Sequence, residues 1–210
     1  VDKMKSLIQT NPAQASEEVG ELLKGKNKKN VDLVTSVAHV YLDAGKLTEA
    51  QEYLAMAKKA DNKDPKVSVL EGDIALAQKN IGQACQLYEQ AIYFDPNCKE
   101  AYLKYAQAYK SASPALAIEK LEQLKAVDPN CLEADRELAE VYYSSNRFGK
   151  AAEMYAKFID TPLATEDDML KYAFALFLNH DFEKSLQVAQ KGLQKNARHA
   201  AFNRLVMYNN

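Results

Sequence analysis

The sequence predicts an all-α protein made of stacked antiparallel helix pairs, a solenoid. Three observations lead there. A small residue recurs at Ala38, Gly72, Ala106, Ala139 and Ala173, in steps of 34, 34, 33 and 34. Apolar residues fall at helical spacing within each period. Tyr102, Tyr105, Ala106 and Tyr109 step as i, i+3, i+4, i+7, and Ala84, Leu87, Tyr88 and Ala91 repeat the stripe on a second helix. Only 7 glycines and 6 prolines punctuate 210 residues, which leaves room for short turns and little else.

Composition narrows the class further. A hydrophobic fraction of 47% beside 27% charged residues is enough apolar surface to offset ordering entropy, which excludes wholesale disorder. A net charge of −2 supplies no general basic face for polyanions. No apolar run approaches the ~18 residues that a membrane-spanning helix requires, so membrane insertion is not expected. Cys85, Cys98 and Cys131 form no C-x-x-C or Cys/His cluster and read as buried thiols.

Residues 1–30 read as a partial repeat or capping helices, with Ala13, Ser16, Val19 and Leu23 spaced like the second helix of an earlier unit. Five units follow over residues 31–199. Their second helices carry small residues at Ala50, Ala84, Ala117, Ala151 and Ser185, and a less uniform site at Ala57, Ala91, Leu124, Phe158 and Gly192. Short polar turns join the helices of each pair: Ala44-Gly45-Lys46, Lys79-Asn80, Ser111 to Pro114, Ser145-Asn146-Arg147 and Asn179-His180-Asp181. Gly45 and the asparagines suit the left-handed residue just past a helix end. Asp95 and Asp128 precede prolines and close their helices. Asp64 before Pro65 is an N-cap followed by a pre-set first helical residue. Residues 200–210 form the first helix of a further unit, truncated or capping, with Met207 at the small site. The whole chain is thereby expected to be one solenoid domain.

Small residues at these sites let two helices cross closely while Tyr, Leu and Phe fill the flanks. One pair alone cannot bury its stripe, whereas stacked pairs share a continuous core.

Gly72, Ala84, Tyr88, Ala91 and Pro96 resemble the tetratricopeptide repeat pattern without a gap, and the 34-residue period is that family's. Tyr102 stands at the first helix's aromatic site, which holds Ser68 one unit earlier. Ala139, Tyr142, Ala151 and Tyr155 carry the pattern through the fourth unit; Ala173, Phe182, Ser185 and Ala189 carry it through the fifth. The resemblance implies a right-handed superhelix whose first helices line a concave groove holding a peptide or helix of another protein. That implication is fold-level analogy. It places Lys104, Gln107, Glu133, Arg136, Glu137, Glu140, Tyr143, Lys171, Phe174 and Phe177 in the groove. The subtype that clamps the C-terminus of heat-shock chaperones is excluded, because its register falls on Thr35, His39, Leu70, Glu100 and Lys104, and only Lys104 is chemically similar.

The groove reads as mixed. Glu133, Glu137 and Glu140, interrupted by Arg136, make its middle acidic; Tyr143, Phe174 and Phe177 make its end aromatic. The expected partner is a protein segment with an apolar anchor and nearby Lys or Arg. A competing reading packs Phe174 and Phe177 against the following unit. His39, His180 and His199 fall in different units and do not converge as metal ligands or catalytic groups. No phosphate loop or nucleophile motif occurs, no cofactor is expected and no enzyme is implied. Glu17-Glu18 and Asp167-Asp168 read as acids at positive helix starts. Lys24 to Lys29 reads as a solvated linker or a small anionic-partner patch. The expected function is a non-catalytic protein-interaction scaffold. The alternatives are a sensor or docking segment of a longer signalling or envelope-assembly protein, and a helical RNA-binding repeat, which the groove acids oppose. Oligomeric state is left open, and the compartment stays open between cytoplasm and, given a removed leader, periplasm or exterior.

Overall fold

A computed structural model describes residues 2–209, with side chains from residue 3 onward. Capping chemistry sets where its helices begin. Asn11 accepts from the Gln14 amide at 3.2 Å, Asn30 from Leu33 at 3.1 Å, Asp64 from Lys66 at 2.9 Å and Asn80 from Gln83 at 3.2 Å, each satisfying an orphan N–H of a first turn. Prolines occupy the first helical position at Pro12, Pro65 and Pro114.

The first compact unit, Val1–Ala108, holds α1 (Asp2–Thr10), α2 (Pro12–Leu22), a 3₁₀ turn (Gly25–Lys29), α3 (Val31–Asp43), α4 (Leu47–Ala60), α5 (Pro65–Ala77), α6 (Ile81–Phe94) and most of α7 (Lys99–Tyr109). The second, Tyr109–Asn210, holds α8 (Pro114–Val127), α9 (Leu132–Ser144), α10 (Phe148–Phe158), α11 (Glu166–Leu178), α12 (Phe182–Lys195) and α13 (Ala200–Asn209). No strand occurs among the described residues, and none of their helices is long and apolar enough to cross a membrane.

Each unit has its own core. In the first, Ile8, Val19, Val34, Ala38, Tyr41, Leu54, Leu70 and Ile74 pack together. In the second, Met169, Ala173, Ala189, Phe202 and Leu205 do. Every small site of the five pairs is buried, from Ala38 to Ala173 on the first helices and from Ala50 to Ser185 on the second. Ser185 is the polar member, and its hydroxyl donates to the Ala173 carbonyl at 2.9 Å. The requirement for smallness is steric at Gly72, where a Cβ would lie 2.5 Å from Cε1 of Tyr88, and at Gly192, where it would lie 2.5 Å from Cζ of Phe202.

Several expectations need correction. In α2 the buried residues are Ala15 and Val19, while Ala13 and Ser16 are exposed. The stripe is set by α1, whose Ile8 packs into the same core. Glu17 and Glu18 lie in the middle of α2, not at its start. Gly45 (φ 76°) and Asn146 (φ 58°) are left-handed as expected, but in two other turns Lys79 (φ 64°) and His180 (φ 63°) take that conformation. Asn80 and Asp181 cap the following helices there, so the preceding residue must make the reversal. Met207 is not in a helix crossing; it is 74% exposed.

Candidate functional site

Successive first helices of the pairs are tied together by side chains on one face, and the same device occurs in both units. In the first unit Asp73 of α5 is the centre. Its carboxylate accepts from Nε2 of His39 on α3 at 2.9 Å, from Nζ of Lys104 on α7 at 2.8 Å and from the Tyr88 hydroxyl on α6 at 2.8 Å. In the second unit Glu140 of α9 accepts from Nζ of Lys171 on α11 at 2.9 and 3.0 Å and from the Tyr155 hydroxyl on α10 at 2.9 Å. The spacings are identical: acid to tyrosine 15 residues, acid to lysine 31.

Electrostatics follow from this geometry. Burial alone would raise the Asp73 carboxyl, but hydrogen bonds from His39, Lys104 and Tyr88 and the Lys104 charge hold it below the usual carboxylate range. Burial would lower His39, yet its bond to Asp73 and that carboxylate's charge outweigh burial and the opposing Lys104, so the imidazole pKa is raised. Nδ1 of His39 lies 2.9 Å from the Thr35 carbonyl oxygen. Both ring nitrogens thus face acceptors, an arrangement that only the doubly protonated ring satisfies. Burial and the neighbouring acid push the Tyr88 and Tyr155 hydroxyls above their ordinary range, so they remain donors.

Beside this cluster a polar cavity of about 210 Å³ is lined by Asp32, Thr35, Ser36, His39, Lys66, Val69 and Glu100. Two of these lining residues, Lys66 and Asp32, pair with each other.

The expected groove residues divide between the two units. Lys104 serves the Asp73 cluster, and Gln107 is exposed on the same helix. In the second unit Glu140 is neutralised by Lys171, which also meets Asp167 at 2.7 Å. Arg136 is drawn to Asp168, 1% exposed, at 3.1 Å. Glu133 accepts weakly from the Cys131 thiol at 3.6 Å, and Glu137 is half-buried. Tyr143 is half-buried and meets Phe148 edge-on at 5.7 Å. Phe174 and Phe177 both touch the second core, and Phe177 also contacts Phe182 at 5.4 Å and Tyr208 of α13 at 6.3 Å. Phe177 is therefore a packing residue between α11, α12 and α13.

Sequence periodicity assigns Tyr88 and Tyr155 to the core and stops there. Their rings are buried, but their hydroxyls complete the polar clusters. The recoverable signal is the acid, Tyr, Lys triple at fixed spacing in two units. Asp135 is a second omission. It is 2% exposed between Lys125 at 2.8 Å and Lys157 at 3.3 Å, at the repeat position that Tyr102 fills one unit earlier.

A sequence profile of the tetratricopeptide repeat matches residues 35–97 and 107–164. No curated protein matches the sequence. Solved structures do match the fold. PilW, a widely conserved type IV pilus biogenesis factor, superposes with a TM-score of 0.73 at 17% identity, covering 98% of this chain and 96% of its own. PilF of Pseudomonas aeruginosa gives 0.70 at 16% identity, covering 99% and 98%. YrrB, a TPR protein with an unusual peptide-binding site, gives 0.62 at 15% identity, covering 85% and 93%.

Proposed function

This chain belongs to the tetratricopeptide repeat family, and on that premise we propose that it is a non-catalytic scaffold that binds a peptide or helix of another protein on the first-helix face of its pairs. The fold supports a protein-interaction role in general terms. The finer reading rests on one observation: in the second unit Tyr143 and Phe174 stay half-buried beside the Glu140, Lys171 and Asp167 ion pairs. Aromatic side chains in partly desolvated surroundings are favoured binding anchors. Ion pairs that hold their neighbours in place lower the ordering cost of binding.

An apolar anchor on the partner is the feature this face fits best. Within the second unit Glu133, Arg136 and Glu137 would contribute polar contacts around it. Glu140 is already paired with Lys171, so it is not the acid that basic residues on the partner would meet.

The test uses peptides selected on the wild-type protein from a random display library. Tyr143→Ala with Phe174→Ala is expected to weaken their binding at least about tenfold. Phe177 is left intact because of its packing role. Unchanged affinity in a variant with native circular dichroism would refute the assignment of the face.

A further inference from the structure

We propose that the N-terminal end of the first unit is a docking site for a second copy of this chain, which inserts the exposed face of its α13. The receiving half is an apolar cavity of about 310 Å³ between α1, α2 and α3. Its walls include Met4, Val19, Leu33, Val37 and Tyr41, with Leu22 exposed at its lip. Leu22 also borders a shallower depression lined by Glu17, Glu18 and Glu21, the three charges of α2 and all acidic. The site is therefore an apolar pocket beside a ledge on which Lys24 pairs with Glu21 and the charges of Glu17 and Glu18 remain.

The inserting half has matching chemistry. On α13, Met207 is 74% and Tyr208 65% exposed. Arg204 precedes them by three and four residues and so shares their face. It is the only charge of the helix. An unbranched thioether suits an irregular apolar cavity, and the guanidinium one turn away suits the glutamate ledge.

The register of Met207 argues for this occupant over another helix of the usual pairing. In the five earlier units the equivalent residue is Ala38, Gly72, Ala106, Ala139 or Ala173, each small and buried, and within the units α3 packs closely on α4, α5 on α6, α9 on α10 and α11 on α12. A methionine side chain at that point prevents so close a crossing. Met207 stands 74% exposed on α13 and fits a contact of a different shape. Since the two halves differ, the contact is heterologous, running from the second unit of one copy to the first unit of the next.

The test measures solution mass by sedimentation from low micromolar to near-millimolar protein, at low and high salt. Wild-type mass should rise above the monomer with concentration and fall back with salt, because the charged part of the contact is screened. Leu22→Asp and Met207→Asp should each be monomeric. Mixed together they should form a one-to-one dimer and nothing larger, since each retains one intact half. Glu17→Lys with Glu18→Lys should weaken association, and adding Arg204→Glu should restore it. If Leu22→Asp loses native circular dichroism, the exposed glutamate variants carry the cavity side of the test. A wild-type protein that stays monomeric throughout overturns the proposal and leaves the cavity to a different chain. Association that none of these substitutions alters overturns it as well.

Discussion

His39 shows how much a single side chain can decide here. Its Nδ1 meets a carbonyl and its Nε2 a carboxylate. A neutral imidazole has one donor nitrogen, so either tautomer would aim a lone pair at an oxygen 2.9 Å away. Protonation is thus coupled to the tie between α3 and α5. The folded-state pKa is raised above the 6.5 of an unperturbed histidine. The group's stabilisation is then fully present below that unfolded value and is lost as pH rises through the folded one. The acid limb has the opposite sign. Asp73 is held below its ordinary 3.8, so its contribution is present above that value and lost as pH falls through the depressed one. His39→Gln should flatten the alkaline limb, and because His39 is one of the donors that hold Asp73 down it should weaken the acid limb as well. Urea unfolding of wild type and variant across the pH range measures this, with the His39 ring protons followed by NMR. A wild-type excess in stability that grows as pH rises above 6.5 would contradict the assignment.

At the level of helices, close crossings and caps carry most of the information. Gly72→Ala replaces a poor helix former with the best one, a nominal gain of up to about 1 kcal/mol. The new Cβ would sit 2.5 Å from Cε1 and 2.8 Å from Cδ1 of Tyr88. That ring is buried and its hydroxyl is anchored on Asp73, so it has little freedom to withdraw. Overpacking should win, with a net loss of about 1–3 kcal/mol. Gly20→Ala is the control, because nothing lies within 4 Å of its Cβ, and it should be neutral or stabilising. Thermal midpoints of the two variants that move in the same direction would defeat the explanation. The capping box of α11 gives a second prediction. The Thr165 hydroxyl accepts from the Asp168 amide at 3.2 Å, and Asp168 accepts from the Thr165 amide at 2.8 Å. Thr165→Ala should cost about 1 kcal/mol by chemical unfolding, and Thr165→Ser should recover most of it.

These elements also mark what could be read from the chain. The five pairs, their small sites and the Asp64-Pro65 start were legible because smallness and capping are local requirements with a fixed period. The left-handed Lys79 and His180 were not, because residue preference is weaker than the demand of the next helix for Asn80 or Asp181 as its cap. The anchoring role of Tyr88 and Tyr155 was hidden because one residue serves both the core and the polar face. The acidity of the groove was overread at Glu140, since pairing with Lys171 depends on a contact 31 residues away.

At the scale of the molecule, the governing fact is that each unit holds its own core, Ile8 to Ile74 in one and Ile159 to Leu205 in the other. In repeat chains stability is approximately a sum of local terms and nearest-neighbour interfaces. Gly72 and Thr165 lie in different compact units, so their substitutions should act independently. The double variant Gly72→Ala with Thr165→Ala is expected to lose the sum of the two single losses to within about 0.5 kcal/mol. Native-state hydrogen exchange makes the same point by location. Gly72→Ala should lower protection first in α5 and α6, and Thr165→Ala first in α11 and α12, because opening proceeds through contiguous cooperative pieces. Equal loss of protection in both units from either single substitution would show one all-or-none cooperative structure. The local accounting of the small sites and caps would then fail for this chain.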